Sequence, residues 1–218
     1  MSTQSEYQLE QALMAQLSNN GYERVKIHDE KALSTNLKTQ LESLNNTTFT
    51  EKEFKRIENH LNKGNVYDRA GILRDKMQLN RDDGDSSYLD FIDQNDWSKN
   101  SFQVTNQITM VGKYKNRYDV TILINGFPMV QIELKRRGIE MREAFNQTLR
   151  YISHSYNAGK GLFQYIQLYV ISNGVNTKYY ANNRKSALNY KQTFFWADIE
   201  NNQISDLEDF TNSLLEPS

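Results

Sequence analysis

Cysteine is absent from all 218 residues, which removes disulfide frameworks and thiolate zinc sites and fits a reducing, cytoplasmic setting. No apolar run approaches the roughly 20 residues that a membrane-spanning helix needs, so no membrane partner is expected. The opening, MSTQSEYQLEQ, is polar and acidic and lacks the pattern of a secretory leader. No internal repeat is visible. A phosphate-binding G-x-x-x-x-G-K-[ST] loop is missing too. Ala158-Gly159-Lys160-Gly161 comes nearest but lacks the spacing and the hydroxyl, so ATP binding by this chain is not expected. His28, His60 and His154 are scattered without ligand spacing. The aspartates around Gly84 do not form a calcium loop, because Arg81 stands where a ligand would fall. The net charge is −1, so overall charge does not announce a polyanionic partner.

What is present suits a globular chain with one sizeable core: 38% hydrophobic and 24% charged residues. Ser5 with Gln8 reads as a capping box, and Leu9, Leu13 and Leu17 follow at helical spacing, which predicts a helix over 6–18. Residues 36–45 and 51–62 read as two more helices, the second opened by Thr50 and Glu53. The stretch 65–100 has no clear period, with a turn at Asp82-Asp83-Gly84-Asp85. The pattern then changes. Strands are expected over 102–112, 117–124 and 129–136, with Asn125-Gly126 as the turn between the last two. A helix over 140–157 stopped by Gly159, strands over 164–172, 177–181 and 193–197, and a helix over 205–215 complete the reading. This is an α/β layered domain: a helix-rich part over 1–100, an α/β core over 101–200 and a terminal helix over 201–218.

The chemically informative run is RYDVTILINGFPMVQIELK, residues 117–135. Its hairpin brings Asp119 and Glu133 toward each other, and Glu133 and Lys135, two apart on a strand, share a face. A plain two-residue turn pairs Ile124 with Phe127 and therefore Asp119 with Ile132, which sends Glu133 to the opposite face. The carboxylates converge only if the register shifts by one, through an odd loop or a bulge at Gly126. That shift is expected on functional grounds. Two carboxylates are hard oxygen ligands suited to Mg²⁺, and a nearby ammonium can orient water or balance developing negative charge. An E-x-K triplet by itself is common and fits a surface salt-bridge cluster equally well. The aspartate on the preceding strand and the apolar flanks Val120, Ile122, Val130 and Ile132 raise its weight.

These residues resemble the PD-(D/E)xK motif as found in the N-terminal domain of the R subunit of type I restriction-modification enzymes. The likeness extends upstream over Asn100, Phe102, Val104, Asn106 and Gln107, and downstream to Gln147 and Tyr151, which match an accompanying Q-x-x-x-Y motif and lie at i and i+4 on one helical face. Tyr118 stands where a proline often precedes the motif aspartate. The resemblance implies a PD-(D/E)xK nuclease fold, with a central mixed sheet flanked by helices and added N-terminal helices. It implies cleavage of double-stranded DNA with Mg²⁺ held by Asp119, Glu133 and the Leu134 carbonyl, and Lys135 acting on the nucleophile or transition state. Gln147 and Tyr151 would contact DNA or brace the site, and Arg136 and Arg137 would meet phosphates. Glu10 on the first helix, or Glu6 in its place, would be an additional acid near the metal. The chain would be an excised domain of a motor subunit, with ATP used only by that motor and with methylation and specificity subunits as partners. The rival expectations are a non-catalytic docking module and a stand-alone resolvase or exonuclease.

Overall fold

The structure, a computed structural model, describes residues 5–111, 115–152 and 161–217. Helix α1 (Glu6–Asn19) opens with the expected capping box, in which the Ser5 hydroxyl accepts from Gln8 N and the Gln8 side chain accepts from Ser5 N. A short strand β1 (Glu23–Arg24) leads to α2 (Glu30–Leu44), which starts six residues before the expected position because Asp29 caps it. Its buried face is Leu33, Leu37 and Leu41, a four-residue period that begins upstream of 36. Helix α3 (Glu51–Leu61) is capped reciprocally by Thr50 and Glu53. The stretch without a clear period holds α4 (Val66–Arg74) and a hairpin of β2 (Met77–Asn80) with β3 (Ser86–Leu89), whose tip is the aspartate turn with Gly84 at φ 99°.

The central sheet contains β4 (Phe102–Val111), β5 (Lys115–Ile124), β6 (Phe127–Leu134), β7 (Leu168–Ser172) and β8 (Thr177–Ala181), in the order β1-β4-β5-β6-β7-β8. The β4–β5–β6 meander is antiparallel, β6 and β7 run parallel, and β8 returns antiparallel, so the sheet is mixed. Helix α5 (Met141–Tyr151) supplies the crossover from β6 to β7. Residues 153–157 of the expected helix, Gly159, His154 and strand residue 112 lie outside the described residues. The expected strand over 164–172 begins only at 168. Leu162–Tyr165 is a 3₁₀ turn that buries Phe163 and Tyr165, an apolar run that periodicity alone does not distinguish from strand. The expected 193–197 strand reduces to β9 (Trp196–Ala197), which pairs with β10 (Gln203–Ile204), plus a single bridge from Phe194 to Tyr179. Helix α6 (Leu207–Leu214) closes the chain.

Helices cover both sheet faces. On one, α1 and α6 bury Leu9, Leu13, Met14, Leu17 and Phe210 against Val104, Val120, Ile122, Ile132 and Leu134. On the other, α5 and the start of α2 bury Ala144, Phe145, Tyr151 and Leu33 against Ile108, Tyr118, Leu123 and Ile171. A third cluster joins α2, α3 and the β2–β3 hairpin, and touches the sheet through Phe127. At roughly 25 cal/mol per Å² of apolar surface, this double burial is the main favourable term in folding. No helix among the described residues is long and apolar enough to cross a membrane.

Candidate active site

The register of β5 against β6 decides whether the two carboxylates meet. Ile124 pairs with Phe127 and Leu123 with Pro128, as a two-residue turn at Asn125-Gly126 requires. Ile122 then pairs with Val130, and Val120 with Ile132, so the register has moved by one. The extra residue is Met129. The expected one-residue shift is therefore present, but at Met129 rather than at Gly126. Pro128 explains the location: it has no N–H to give to a ladder, and proline inside a sheet is confined to edges and bulges. Continuing the shifted register sets Asp119 opposite Glu133.

A second irregularity lies on the other side of β5. The ladder passes from the Asn106–Val120 pair to the Ile108–Tyr118 pair, over Gln107 and Asp119. Val120 packs on the α1 face and Tyr118 on the α5 face, although residues two apart on a regular strand share a face. The strand thus turns over at Asp119. Gln107 sits at φ 60°, a left-handed conformation that costs a side-chain-bearing residue about 1–2 kcal/mol. Glu10 offsets it. Its buried carboxylate accepts from the Asn106 amide at 2.6 Å and from the Gln107 amide, so α1 clamps the irregularity from below.

Asp119 Oδ2 accepts from Leu134 N at 2.9 Å, which locks it to the end of β6. Lys135, just past β6, keeps the ladder to β7 through Lys135 N to Ser172 O at 2.8 Å. Its Nζ donates to Glu133 Oε1 at 2.9 Å and to Leu134 O at 3.0 Å. Glu133 is fully buried, and its Oε2 has no hydrogen-bond partner among the described residues. Burial pushes the Glu133 carboxyl up to about 8; the neighbouring Asp119 adds to the rise, and Lys135 opposes it. Burial also raises Asp119, to about 6, against the Leu134 N–H and Lys135, which favour its charged form. Glu133 and the partly buried Asp119 are both held above their ordinary range, so the single Lys135 ammonium does not offset the burial of the two acids.

The other expected residues fall around this patch. Gln147 donates to the Tyr151 hydroxyl, which donates to Arg117 O at 3.1 Å, two residues before Asp119. Tyr118 meets the Tyr151 ring edge-on at 4.7 Å between centroids. Tyr151, with Gln147 on its hydroxyl, thus links α5 to the strand that carries Asp119. Glu6 and Glu10 both line a cavity of about 290 Å³ together with Asp119, Gln107 and Arg117. Glu10 is spent on the Asn106, Gln107 and Gln11 amides, whereas Glu6 is exposed and, among the described residues, accepts from Arg136 N at 3.3 Å. Arg136 and Arg137 are exposed beyond the strand end. The roles of Asn106 and Gln107 as the clamp's donors escaped the sequence reading, although both lie in the stretch that carried the resemblance. Among the described residues no three His, Cys, Asp or Glu side chains gather as a metal cluster, so a cation here would rest on Asp119, Glu133 and the Leu134 carbonyl.

Asp119, Glu133 and Lys135 thus converge at a bulged hairpin within a mixed sheet. The chain matches, over residues 3–187, the family described as the N terminus of the type I restriction enzyme R protein, and it belongs to that family. It is 48% identical, over its whole length, to the type I restriction enzyme SauCOLORF180P endonuclease subunit of Staphylococcus aureus strain COL, of which it spans 24%. It shares 48% with the SsaAORF53P endonuclease subunit of Staphylococcus saprophyticus, of which it spans 23%. With the EcoprrI endonuclease subunit of Escherichia coli it shares 43%, covering 96% of this chain and 69% of that protein. The chain thus spans about a quarter of the length of its staphylococcal relatives.

Proposed function

We propose that this chain is the nuclease module of a type I restriction R subunit, with a PD-(D/E)xK fold, and that it hydrolyses phosphodiester bonds of double-stranded DNA with a divalent cation, Mg²⁺, in the cytoplasm. The observation that carries this reading is the one-residue bulge at Met129, which brings Asp119 and Glu133 together against the register that the Asn125-Gly126 turn alone would set. The donors suit such a cation. Glu133 Oε2 is buried without a partner among the described residues, and the Lys135 ammonium already rests on Glu133 Oε1 and Leu134 O, two oxygens that Mg²⁺ would use.

When bound, the cation supplies Lewis-acid polarisation of the phosphoryl oxygen and a more acidic water. Asp119 is held to the Leu134 N–H by Oδ2, which leaves Oδ1 for a ligand. Glu133 offers its orphaned Oε2. Lys135, released from Glu133 Oε1, has an ammonium within reach of the same position and can orient water or balance charge on the phosphate. Gln147 and Tyr151 hold the β5 backbone in place, and Arg136 and Arg137 receive phosphates. Glu10 acts through Gln107 and Asn106 on the placement of Asp119. Motor domains elsewhere in the full subunit would use ATP, and methylation and specificity subunits would choose the site.

Supercoiled-plasmid cleavage by the complete assembly with Mg²⁺ and ATP tests this. Asp119→Ala and Lys135→Ala are each expected to lower cleavage by on the order of 10²-fold or more while ATP hydrolysis continues. Undiminished cleavage by both variants would leave this chain as a docking module.

A further inference from the structure

The Tyr190 ring gathers two cations away from the Asp119–Glu133–Lys135 patch. The Arg142 guanidinium carbon, from the first turn of α5, lies 4.8 Å from its centroid, and Lys178 Nζ, from β8, lies 5.2 Å from it. Lys178 also sits 4.6 Å from the Phe195 ring and 3.5 Å from Thr193 Oγ1. Phe145 meets Tyr190 edge-on at 5.6 Å between centroids. Neither cation forms an ion pair among the described residues. Arg137, Arg142 and Tyr190 line one recess of about 580 Å³, where Glu140 is the single acidic residue among the described ones. Like charges brought to one ring without an ion-pair partner repel each other, and an anion between them relieves that repulsion.

The position of this group on the sheet indicates which anion. Glu133 pairs with Ile171, and Ile171 with Lys178, so Lys178 lies two strands from Glu133 along one row. At roughly 4.8 Å per strand the separation is about 10 Å. Each DNA strand carries one phosphate per about 3.4 Å of helix axis, so a duplex with its scissile phosphate at Glu133 has others within that reach.

We propose that Arg142, Lys178 and Tyr190, with Arg137 at the rim, form a phosphate-anchoring surface that holds the DNA backbone beside the cleavage position. This rests on the nuclease reading and extends it to residues outside the motif. The rings fix both cations in advance, so less side-chain entropy is lost when phosphate binds.

Fluorescence anisotropy of a labelled 30-base-pair duplex with the chain, in Ca²⁺ over a salt series, tests it. The Arg142→Gln/Lys178→Met double variant keeps both aliphatic stems and hence the packing on Tyr190. It is expected to bind about 10-fold more weakly at low salt, with the slope of log affinity against log salt shallower by about 2. Arg142→Lys/Lys178→Arg keeps the charges and is expected to retain the wild-type slope. A double variant with wild-type affinity and slope overturns the anchoring surface and assigns the patch to another partner, such as an acidic protein surface. The nuclease reading is unaffected by that result, because it depends on Asp119→Ala in the complete assembly.

Discussion

The two ends of the β5–β6 hairpin obey opposite rules. At the turn, everything is satisfied. Asn125 is buried at φ 49°; its Oδ1 accepts from Ser101 N at 2.8 Å, and its Nδ2 donates to Phe91 O at 3.0 Å and to Asn100 Oδ1 at 2.7 Å. At the open end, Glu133 keeps a buried oxygen unbonded among the described residues, Asp119 sits where the strand turns over, and both carboxyls are held above their ordinary range. The same two strands carry a fully paired anchor and, at the other end, an underpaired pair of acids. A buried polar group without a partner costs about 1–3 kcal/mol. It persists here because the turn end and the two helical faces fix the strands around it.

Damage to the turn end should give the largest stability losses. A Cβ on Gly126 would meet Leu37 Cα at 2.7 Å, and its φ of 82° disfavours any side chain. Gly126→Ala is therefore expected to destabilise by about 3 kcal/mol, read from urea unfolding. Asn125→Ala strands three partners and is expected to cost a similar amount, on the order of 3 kcal/mol. A loss below about 1 kcal/mol in both would show that the turn does not anchor the hairpin.

The open end should show its character in pH rather than in overall loss. Glu133 is raised from 4.5 to about 8, and Asp119 from 3.8 to about 6. Both folded-state values lie above the unfolded ones, so the folded chain holds extra protons between them. Ionisation costs the folded state nothing below the ordinary carboxyl range. The penalty grows as the pH rises and is complete above about 8, so the metal-free chain should be less stable at pH 8.5 than at pH 5.5. Each group contributes at most about 1.4 kcal/mol per pH unit within its window. In Asp119→Asn/Glu133→Gln the decline should flatten, and millimolar Mg²⁺ should flatten it in the wild type. A wild-type profile parallel to that of the double variant would remove the argument that these acids are short of positive charge.

Much of this contrast could be read from the sequence, and the unread part has identifiable causes. Asn125-Gly126 between alternating apolar runs fixes the hairpin, because few other dipeptides reach positive φ at both central positions. The need for a one-residue shift followed from arithmetic on Asp119 and Glu133. Its place at Met129 did not, although Pro128 was the available cue. The start of α2 at Glu30 was missed because the polar residues between Leu33, Leu37 and Leu41 dilute its period. The four-residue strands of the β2–β3 hairpin are too short for alternation to register. The clamp from Glu10 to Gln107 links residues 97 apart in sequence, and no local pattern encodes a contact at that range.

The smallest expected effect separates bracing from chemistry within the site. Tyr151 lies on α5, and its hydroxyl joins Gln147 to the Arg117 carbonyl beside Asp119. Burial holds that phenol above its ordinary range, so it remains a proton donor at working pH and does not serve as a base. Tyr151→Phe removes one hydrogen bond to a backbone carbonyl, which predicts a loss of about 1 kcal/mol in urea unfolding. Gln147→Ala should cost less, because that side chain is only half-buried and water can take its place at the hydroxyl. If the hydroxyl is a brace, the two variants should reduce plasmid cleavage in the order of their stability losses, with ATP hydrolysis unchanged. A Tyr151→Phe chain of wild-type stability that cleaves 10-fold more slowly would instead place the hydroxyl against the substrate, and the strand carrying Asp119 would then be held without it, by its two ladders, the Glu10 clamp and the Tyr118–Tyr151 ring contact.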